Sequence, residues 1–200
     1  MIFVGTMCDG GACPPGLLVN HLVSDASYQT GLSGMLGGER SAEIYYVVGT
    51  ANSNILTSLG WMTMNHNAGA KAILDLTYGE FVDLNADFTP SATKFIVNVA
   101  SGDMYAGPRP VPCTIAVTSA RGTPQEATTG VTINLINDGD YDFPFAGFSG
   151  VDFSDVDMIS YRFDASNVSS VDFGIGPLKT DGTTVPAEES TWGKVKSLFR

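Results

Sequence analysis

The sequence predicts an all-β protein: an antiparallel β-sandwich of the jelly-roll type with about eight strands and a short C-terminal helix or tail. Two observations carry this prediction. Apolar and polar residues alternate along most of the chain, and clusters rich in Gly, Pro and Asp separate the alternating runs. Alternation with period two turns one face of each strand to the core and the other to water. Short strands broken by such turns are typical of sandwiches and barrels.

The alternation is clear in the run Phe95, Val97 and Val99, and again in Val131, Ile133 and Leu135. Turn clusters such as "GPRPVP" from Gly107 and "NDGDYD" from Asn137 lie between such runs. The predicted strands are 43–48, 55–64, 71–78, 93–99, 114–118, 131–136, 159–163 and 171–175. Helix content is expected to be below about a sixth of the chain, against a third in typical domains.

Length and charge restrict the class of protein. The chain has 200 residues, 44% of them hydrophobic, which fits one domain with a sizeable core. Its net charge is −11, so it offers no basic surface for nucleic acid or for an anionic membrane. No apolar run approaches the roughly 20 residues of a membrane-spanning helix, so membrane insertion is not expected. The predicted organisation is a sandwich over 1–180, a spacer over 181–190 and an amphipathic tail over 191–200.

The three cysteines leave several pairings open. Cys8 and Cys13 bracket "DGGA" and can close a small disulfide loop, with Cys113 as an odd thiol. Cys113 can instead take one of these partners, or all three can be buried thiols. The spacing is not that of a zinc or redox pair. The low Lys content and abundant Ser, Thr, Gly and Asp predict an extracellular or cell-surface protein, although the first residues lack the basic and apolar regions of a signal peptide.

The sequence contains no recognisable catalytic motif. A nucleophile elbow, a phosphate loop and a zinc-protease helix are all missing. His21 and His66 lie in polar stretches without a visible nucleophile beside them, and we expect both to be structural or exposed. The chain is therefore predicted not to be an enzyme.

The segment "NDGDYD" is the best candidate for metal binding. Asp138, Asp140 and Asp142 recur at every second position, and Gly139 permits a tight turn. If the backbone curls, such carboxylates can converge on calcium, which accepts six to eight oxygen ligands. The alternative is a solvated acidic turn between two strands, because the segment lacks the distal Glu of an EF-hand loop. A second, weaker candidate is the trio Asp152, Asp155 and Asp157.

Three segments resemble secreted bacterial jelly-roll domains similar to galactose-binding-like and carbohydrate-binding modules. They are "GMLGGERSAEI", "DLNADFTPSATKFIVNVAS" and "FPFAGFSGVDFSDVDMISYRFDASNVSSVDFGIGPLKT", within Gly34 to Thr180. In that class a "GG-x-R" segment precedes a strand, and the aromatic segment precedes the final strand pair. The resemblance implies the fold and, more weakly, glycan binding. It makes Phe148, Phe153, Val156 and Ile159 core residues.

Arg40 and several aromatic residues are the candidates for ligand contact. Arg40 either binds an anionic or hydroxylated ligand through its planar fork or pairs with an Asp inside the sandwich. Tyr105 and Tyr141 lie in predicted loops and are the preferred tyrosines for stacking on a sugar ring. Trp61 fits core packing better than a binding platform.

The C-terminal tail predicts a short amphipathic helix. Trp192, Val195 and Phe199 fall on one stripe, capped by Thr191. A helix this short needs a docking surface, either on its own domain or on a neighbouring copy.

Two functional hypotheses follow. The first is a non-catalytic extracellular structural protein that self-associates as a filament, sheath or surface-layer subunit, so that the chain is a homo-oligomer. The alternative is a carbohydrate-binding module supported by calcium, with a glycan as its partner.

Overall fold

The computed structural model describes residues 24–31, 36–48, 53–58, 61–66, 68–100, 102, 110–176 and 178–182. All structural statements below concern these residues. They form twelve strands and two one-turn 3-10 helices, at Leu36–Gly38 and Phe145–Gly147. The strands are β1 (Ser24–Thr30), β2 (Glu39–Val48), β3 (Ser53–Ser58), β4 (Trp61–His66), β5 (Lys71–Tyr78), β6 (Lys94–Ala100), β7 (Val111–Ser119), β8 (Ala127–Leu135), β9 (Gly139–Pro144), β10 (Val156–Asp164), β11 (Phe173–Ile175) and β12 (Lys179–Thr180).

The strands form two antiparallel sheets. The first sheet has six strands in the order β1-β2-β5-β10-β7-β8. In the second sheet β6 pairs with β9 on one side and with β11 and β12 on the other, and β11 continues the order to β4 and β3. The predicted antiparallel β-sandwich is therefore confirmed. Within the described part of the chain no helix is long and apolar enough to cross a membrane.

One hydrophobic core fills the space between the sheets. The inward side chains of the central strands β5, β7 and β10 meet those of β4, β6 and β11 in this core. Its largest fully buried side chains include Phe95, Phe143, Phe163 and Phe173. The alternating burial along β5 and β6 shows that the period-two pattern selected the buried face, as the sequence predicted.

The predicted core residues of the aromatic segment are confirmed. Phe148, Phe153, Val156 and Ile159 are all buried. Phe148 and Phe153 pack around Phe95, with ring centroids 6.0 and 6.1 Å from it. The segment before β10 therefore closes one end of the core.

The observed strands extend the predicted set in three ways. The predicted strand 55–64 is two strands, β3 and β4, which pair antiparallel from Ser53 opposite His66 to Ser58 opposite Trp61. The short strand β12 is added at one edge of β6. The strands β1 and β9 lie outside the predicted set, although Tyr141 and Phe143 of β9 alternate with acidic residues, and both strands pair at the edge of a sheet.

Asp181 fastens the last described strand to β6. Its carboxylate accepts hydrogen bonds from the Thr93 hydroxyl, from the backbone N–H of Thr93 at 2.7 Å and from that of Lys94 at 3.1 Å. The hydrogen bond from the Thr93 hydroxyl is the main cause that lowers the pKa of Asp181 to about 2, and the backbone donors add to it.

We expect the Asp181→Asn variant to be less stable than the wild type near neutral pH and to lose this difference in acid. A lowered folded-state pKa gives stability that is present above the unfolded-state pKa, about 4, and is lost as pH falls through about 2. Urea unfolding of both proteins at pH 6 and at pH 2.5 measures this effect. An equal difference at both pH values would show that the Asp181 charge does not stabilise the fold.

Candidate functional site

The outward face of the first sheet carries the candidate site. Along β2, β5 and β10 the side chains that alternate with the buried ones point away from the core, and they are mostly half-buried and polar. The strand registers place these side chains in rows across the sheet. We call this surface the outer face.

A charged row crosses the middle of the outer face. Glu43 of β2 lies opposite Asp75 of β5, Asp75 lies opposite Arg162 of β10, and Arg162 lies opposite Thr114 of β7. The Arg162 Nη1 and Asp75 Oδ2 atoms are 3.5 Å apart. We call these four residues the central row. It joins acceptors, a guanidinium donor and a hydroxyl on adjacent strands.

The carboxylates of the central row are only partly compensated. Like charges directly opposite each other on neighbouring strands destabilise a sheet, as Glu43 and Asp75 do here. Burial raises the pKa of Asp75; the Arg162 guanidinium opposes this shift, and Glu43 and Asp164 add to it. The Asp75 side chain is 23% exposed and that of Arg162 is 50% exposed. Arg162 thus retains donors that face solvent beside a desolvated carboxylate.

Tyr45 adds a hydroxyl at one side of the central row. Its Oη atom donates to Glu43 Oε2 at 2.6 Å. This hydrogen bond, followed by desolvation and by the charge of Glu43, raises the pKa of Tyr45 to about 12. The phenol therefore stays protonated in the physiological range, and its oxygen keeps lone pairs that can accept a hydrogen bond.

Small hydroxyl side chains surround the charged centre. Ser41, Thr77 and Ser160 form the next row across β2, β5 and β10. At the β7 end of the central row, the Thr114 and Thr132 hydroxyls lie 2.7 Å apart on β7 and β8. The outer face is therefore rich in groups that both donate and accept hydrogen bonds.

Exposed apolar side chains mark the β1 end of the outer face. Tyr28 of β1 and the Phe81 and Val82 side chains after β5 are 44%, 62% and 62% exposed. The rings of Tyr28 and Phe81 meet edge to face with centroids 4.6 Å apart. An aromatic pair that stays in solvent next to polar side chains is typical of a binding surface.

The predicted ligand contact at Tyr141 has a different role in the structure. Tyr141 lies in strand β9, not in a loop, so its predicted placement is wrong. Its hydroxyl accepts from the Ile136 and Asn137 amides, each at 2.8 Å, and donates to the Asn137 carbonyl at 2.7 Å. These bonds fix the β8–β9 turn, and ligand binding at Tyr141 stays a prediction. Tyr105 lies outside the described residues.

The acidic segment "NDGDYD" does not curl as the calcium hypothesis requires. Residues 139–144 are the extended strand β9, where side chains two positions apart are separated by about 6.8 Å. Asp140 accepts from Asn98 Nδ2 at 2.5 Å, Asp142 pairs with Lys94 Nζ at 2.6 Å, and Asp138 accepts from the Gly102 amide.

Metal binding is therefore not supported by the geometry. In the described ranges, Asp138, Asp140 and Asp142 included, no group of three or more His, Cys, Asp or Glu residues is arranged to hold a metal ion. Two members of the weaker trio are engaged elsewhere. Asp152 Oδ1 accepts from the Ser154 amide, and the buried Asp157 accepts from the Arg121 amide. Calcium binding stays a prediction.

Arg40 is a buried residue, and its pairing with an Asp stays a prediction. It is buried between the sheets and does not point to the outer face. Its guanidinium hydrogen-bonds to Tyr78 of β5. A neighbouring tyrosine on β5 is therefore one partner of the guanidinium, in addition to any acid predicted from the sequence.

Some of the remaining predicted residues are described by the structure, and the others lie outside the described residues. Cys113 is a buried free thiol in the core, and burial raises its pKa. His66 is buried in β4, which agrees with a structural role. Outside the described residues lie the predicted disulfide pair Cys8 and Cys13, together with His21 and the tail residues Trp192, Val195 and Phe199.

Sequence reasoning missed most of the outer face. Asp75 and Arg162 occupy the polar positions of alternating strands, a signal that was visible, but their adjacency depends on the pairing of β5 with β10. Tyr28 lies in "SDASYQT", which has no apolar alternation. Phe81 lies in what reads as a turn.

The similarity of this chain to known proteins is found among solved structures. No family model and no curated protein matches it. Among solved structures it is similar to a family 11 carbohydrate-binding module from Clostridium thermocellum in complex with a β-1,3-1,4-mixed-linked tetrasaccharide, with 14% identity, a TM-score of 0.39, and coverage of 80% of this chain and 88% of that chain. It is also similar to a CBM4 structure, with 10% identity, a TM-score of 0.37, and coverage of 79% and 86%.

A third similar structure is a family 29 carbohydrate-binding module complexed with cellohexaose, with 16% identity, a TM-score of 0.35, and coverage of 78% of this chain and 92% of that chain. The predicted resemblance to carbohydrate-binding modules is thus found among solved structures. At these identities the likeness concerns the fold, and no residue role is transferred from it.

The main functional hypothesis from the sequence is corrected here. The three structures named above are carbohydrate-binding modules, the class named by the alternative hypothesis, and not subunits of a filament, sheath or surface layer. The self-associating structural protein rested on the tail around Trp192, which lies outside the described residues.

Proposed function

We propose that this protein binds a neutral glycan on the outer face of its six-stranded sheet and does so without catalysis. The central row supports the proposal most directly. It sets carboxylate acceptors, a guanidinium donor and a hydroxyl side by side on four adjacent strands. Sugar hydroxyls both donate and accept, so they are satisfied by a surface that offers both kinds of group.

The energetics of the central row also favour a hydroxylated ligand. Strand pairing holds Glu43 and Asp75 opposite each other in spite of their like charge. A sugar hydroxyl that donates to one of these carboxylates relieves part of that cost. Arg162, which is half-exposed, can donate two parallel hydrogen bonds to the oxygens of adjacent hydroxyl groups on one sugar ring.

The charge of the outer face restricts the glycan. Glu43, Asp75 and Asp164 lie around the single guanidinium of Arg162, and the whole chain carries −11. Uronate or sulfate groups would be repelled at this surface. A neutral hexose polymer is therefore the proposed ligand, and an extracellular or cell-surface location belongs to the same proposal.

Replacing Arg162 is expected to test this function. Calorimetric titration of the full chain with cellohexaose, mannohexaose and a β-1,3-1,4-mixed-linked tetrasaccharide identifies the best probe, and polygalacturonate serves as the anionic comparison. Arg162→Ala is expected to weaken binding of that probe roughly 10- to 100-fold, because it removes hydrogen bonds from a charged donor.

Lys179→Ala is the matched control, since Lys179 is an exposed cation in the other sheet. It should bind like the wild type, and Arg162→Lys should recover only part of the affinity because the planar fork is lost. Failure of the wild type to bind any neutral probe, or equal affinity for polygalacturonate, would contradict the proposal.

A further inference from the structure

The segment 79–84, which directly follows β5, presents apolar side chains to solvent. Phe81 and Val82 are each 62% exposed, although the core is close by. We call residues 79–84 the aromatic loop. Exposed apolar side chains that lie together beside a polar surface mark a candidate binding site.

A buried carboxylate holds the aromatic loop from the side of β2. Glu39 is only 6% exposed, and its Oε1 atom accepts from the Val82 amide at 3.1 Å. Its Oε2 atom accepts from the Tyr28 hydroxyl, and this bond raises the pKa of Tyr28. One side chain therefore fixes both the loop and the tyrosine that contacts Phe81.

A guanidinium holds the same loop from the side of the β7–β8 turn. Arg121 Nη1 donates to the Glu80 carbonyl at 3.2 Å, and Nη2 pairs with the Asp83 carboxylate. The Arg121 amide is itself anchored on Asp157 Oδ2 at 2.6 Å. Glu80 and Asp83 flank Phe81 and Val82, so Arg121 secures the loop on both sides of the exposed pair.

The rigid loop extends the outer face. Tyr28 lies opposite Ser41 on β2, in the row next to the central row. Three strand spacings of about 4.8 Å separate β1 from β10, and Tyr28 and Arg162 lie one row apart, so the span between them is about 16 Å. A single sugar ring is shorter than this span, and a chain of rings can contact both ends.

We propose that Arg121 and Glu39 are positioning residues that hold Phe81 and Tyr28 in place. The two aromatic side chains then receive the apolar face of one ring of a neutral oligosaccharide, and the other rings of that ligand lie along the central row. This inference rests on the proposed function. Affinity comes from preorganisation: two aromatic rings already held in the bound arrangement lose little freedom when a ring docks.

A double-mutant cycle tests the positioning role. With the neutral hexasaccharide that binds the wild type best, Phe81→Ala and Arg121→Ala are each expected to weaken binding about tenfold. The double variant should bind no more weakly than Phe81→Ala alone, because Arg121 acts through Phe81. Arg121→Lys should recover part of the affinity through its ion pair with Asp83. Additive losses in the double variant, or wild-type affinity in Arg121→Ala, would overturn the inference while leaving the proposed function intact.

Hydrogen exchange separates this inference from the proposed function. The Val82 amide bonds to Glu39 and the Leu84 amide bonds to the Asp157 carbonyl at 2.9 Å. In protein without ligand we expect both amides to exchange at least tenfold faster in Arg121→Ala than in the wild type, with Lys179→Ala unchanged. Unaltered exchange would refute the positioning role even if no glycan binds, whereas faster exchange together with an absence of glycan binding would reject the proposed function and with it the sugar subsite.

Discussion

Phe95→Ala is expected to lower the free energy of unfolding by about 3–5 kcal/mol. Phe95 is fully buried in β6, and its ring lies among the rings of Phe88, Phe145, Phe148 and Phe153. Removing the ring takes away the common partner of that cluster and leaves a cavity that surrounding strands fill only in part. Urea unfolding followed by circular dichroism measures the change.

Phe81→Ala is the matched control for the Phe95 variant, because it removes the same ring from an exposed position. Its only aromatic contact among the described residues is the edge-to-face pair with Tyr28, so the loss should stay below about 1.5 kcal/mol. Equal destabilisation by the two variants would mean that the aromatic cluster around Phe95 does not form the core.

Gly79→Ala is expected to cost about 2–4 kcal/mol of stability and also to weaken glycan binding. Gly79 has a φ of 78°, a left-handed conformation that costs a residue with a Cβ about 1–2 kcal/mol. An added Cβ would lie 2.1 Å from the Asp157 carbonyl oxygen, so the backbone of the aromatic loop or of β10 would have to move. Thermal unfolding and probe titration measure the two effects.

Comparison with Gly69→Ala isolates the steric cost of the Gly79→Ala substitution. Gly69 has a similar φ of 81°, but an added Cβ there would meet nothing within 4 Å. This variant should lose only the stability that the left-handed conformation costs a residue with a Cβ, about 1–2 kcal/mol, and it should bind glycan like the wild type. If Gly69→Ala were as damaging as Gly79→Ala, the close approach to Asp157 would have no energetic role.

Local pattern predicted the strands that lie in the middle of the sheets. The predicted strand 71–78 coincides with β5, and the predicted 93–99 differs from β6 by one residue at each end. These strands bury one face against the opposite sheet, so their apolar residues must recur at every second position. Edge strands are under weaker restraint: β1 shows little apolar alternation, and the aromatic residues of β9, Tyr141 and Phe143, alternate with acidic residues that favour a turn.

The acidic segment shows where local reasoning failed. Asp140 and Asp142 were interpreted as part of a turn because carboxylates and glycine are common in turns. In the structure β9 pairs with β6, and the carboxylates are accommodated because Asn98 and Lys94 lie across from Asp140 and near Asp142 on the neighbouring strand. The backbone pairing of β9 with β6 outweighed the local preference of these residues for a turn.

The sequence by itself determined the fold class, the buried face of the central strands, the core role of residues such as Phe153, and the acidic surface. Each of these depends on residue type and on spacing along a single strand. Only the tertiary structure decided which polar residues meet on the outer face and which loop residues stand beside them. Glu43, Asp75 and Arg162 are far apart in the chain and become neighbours only through the strand order β2-β5-β10, because cross-strand contact is set by pairing and register rather than by spacing in the sequence.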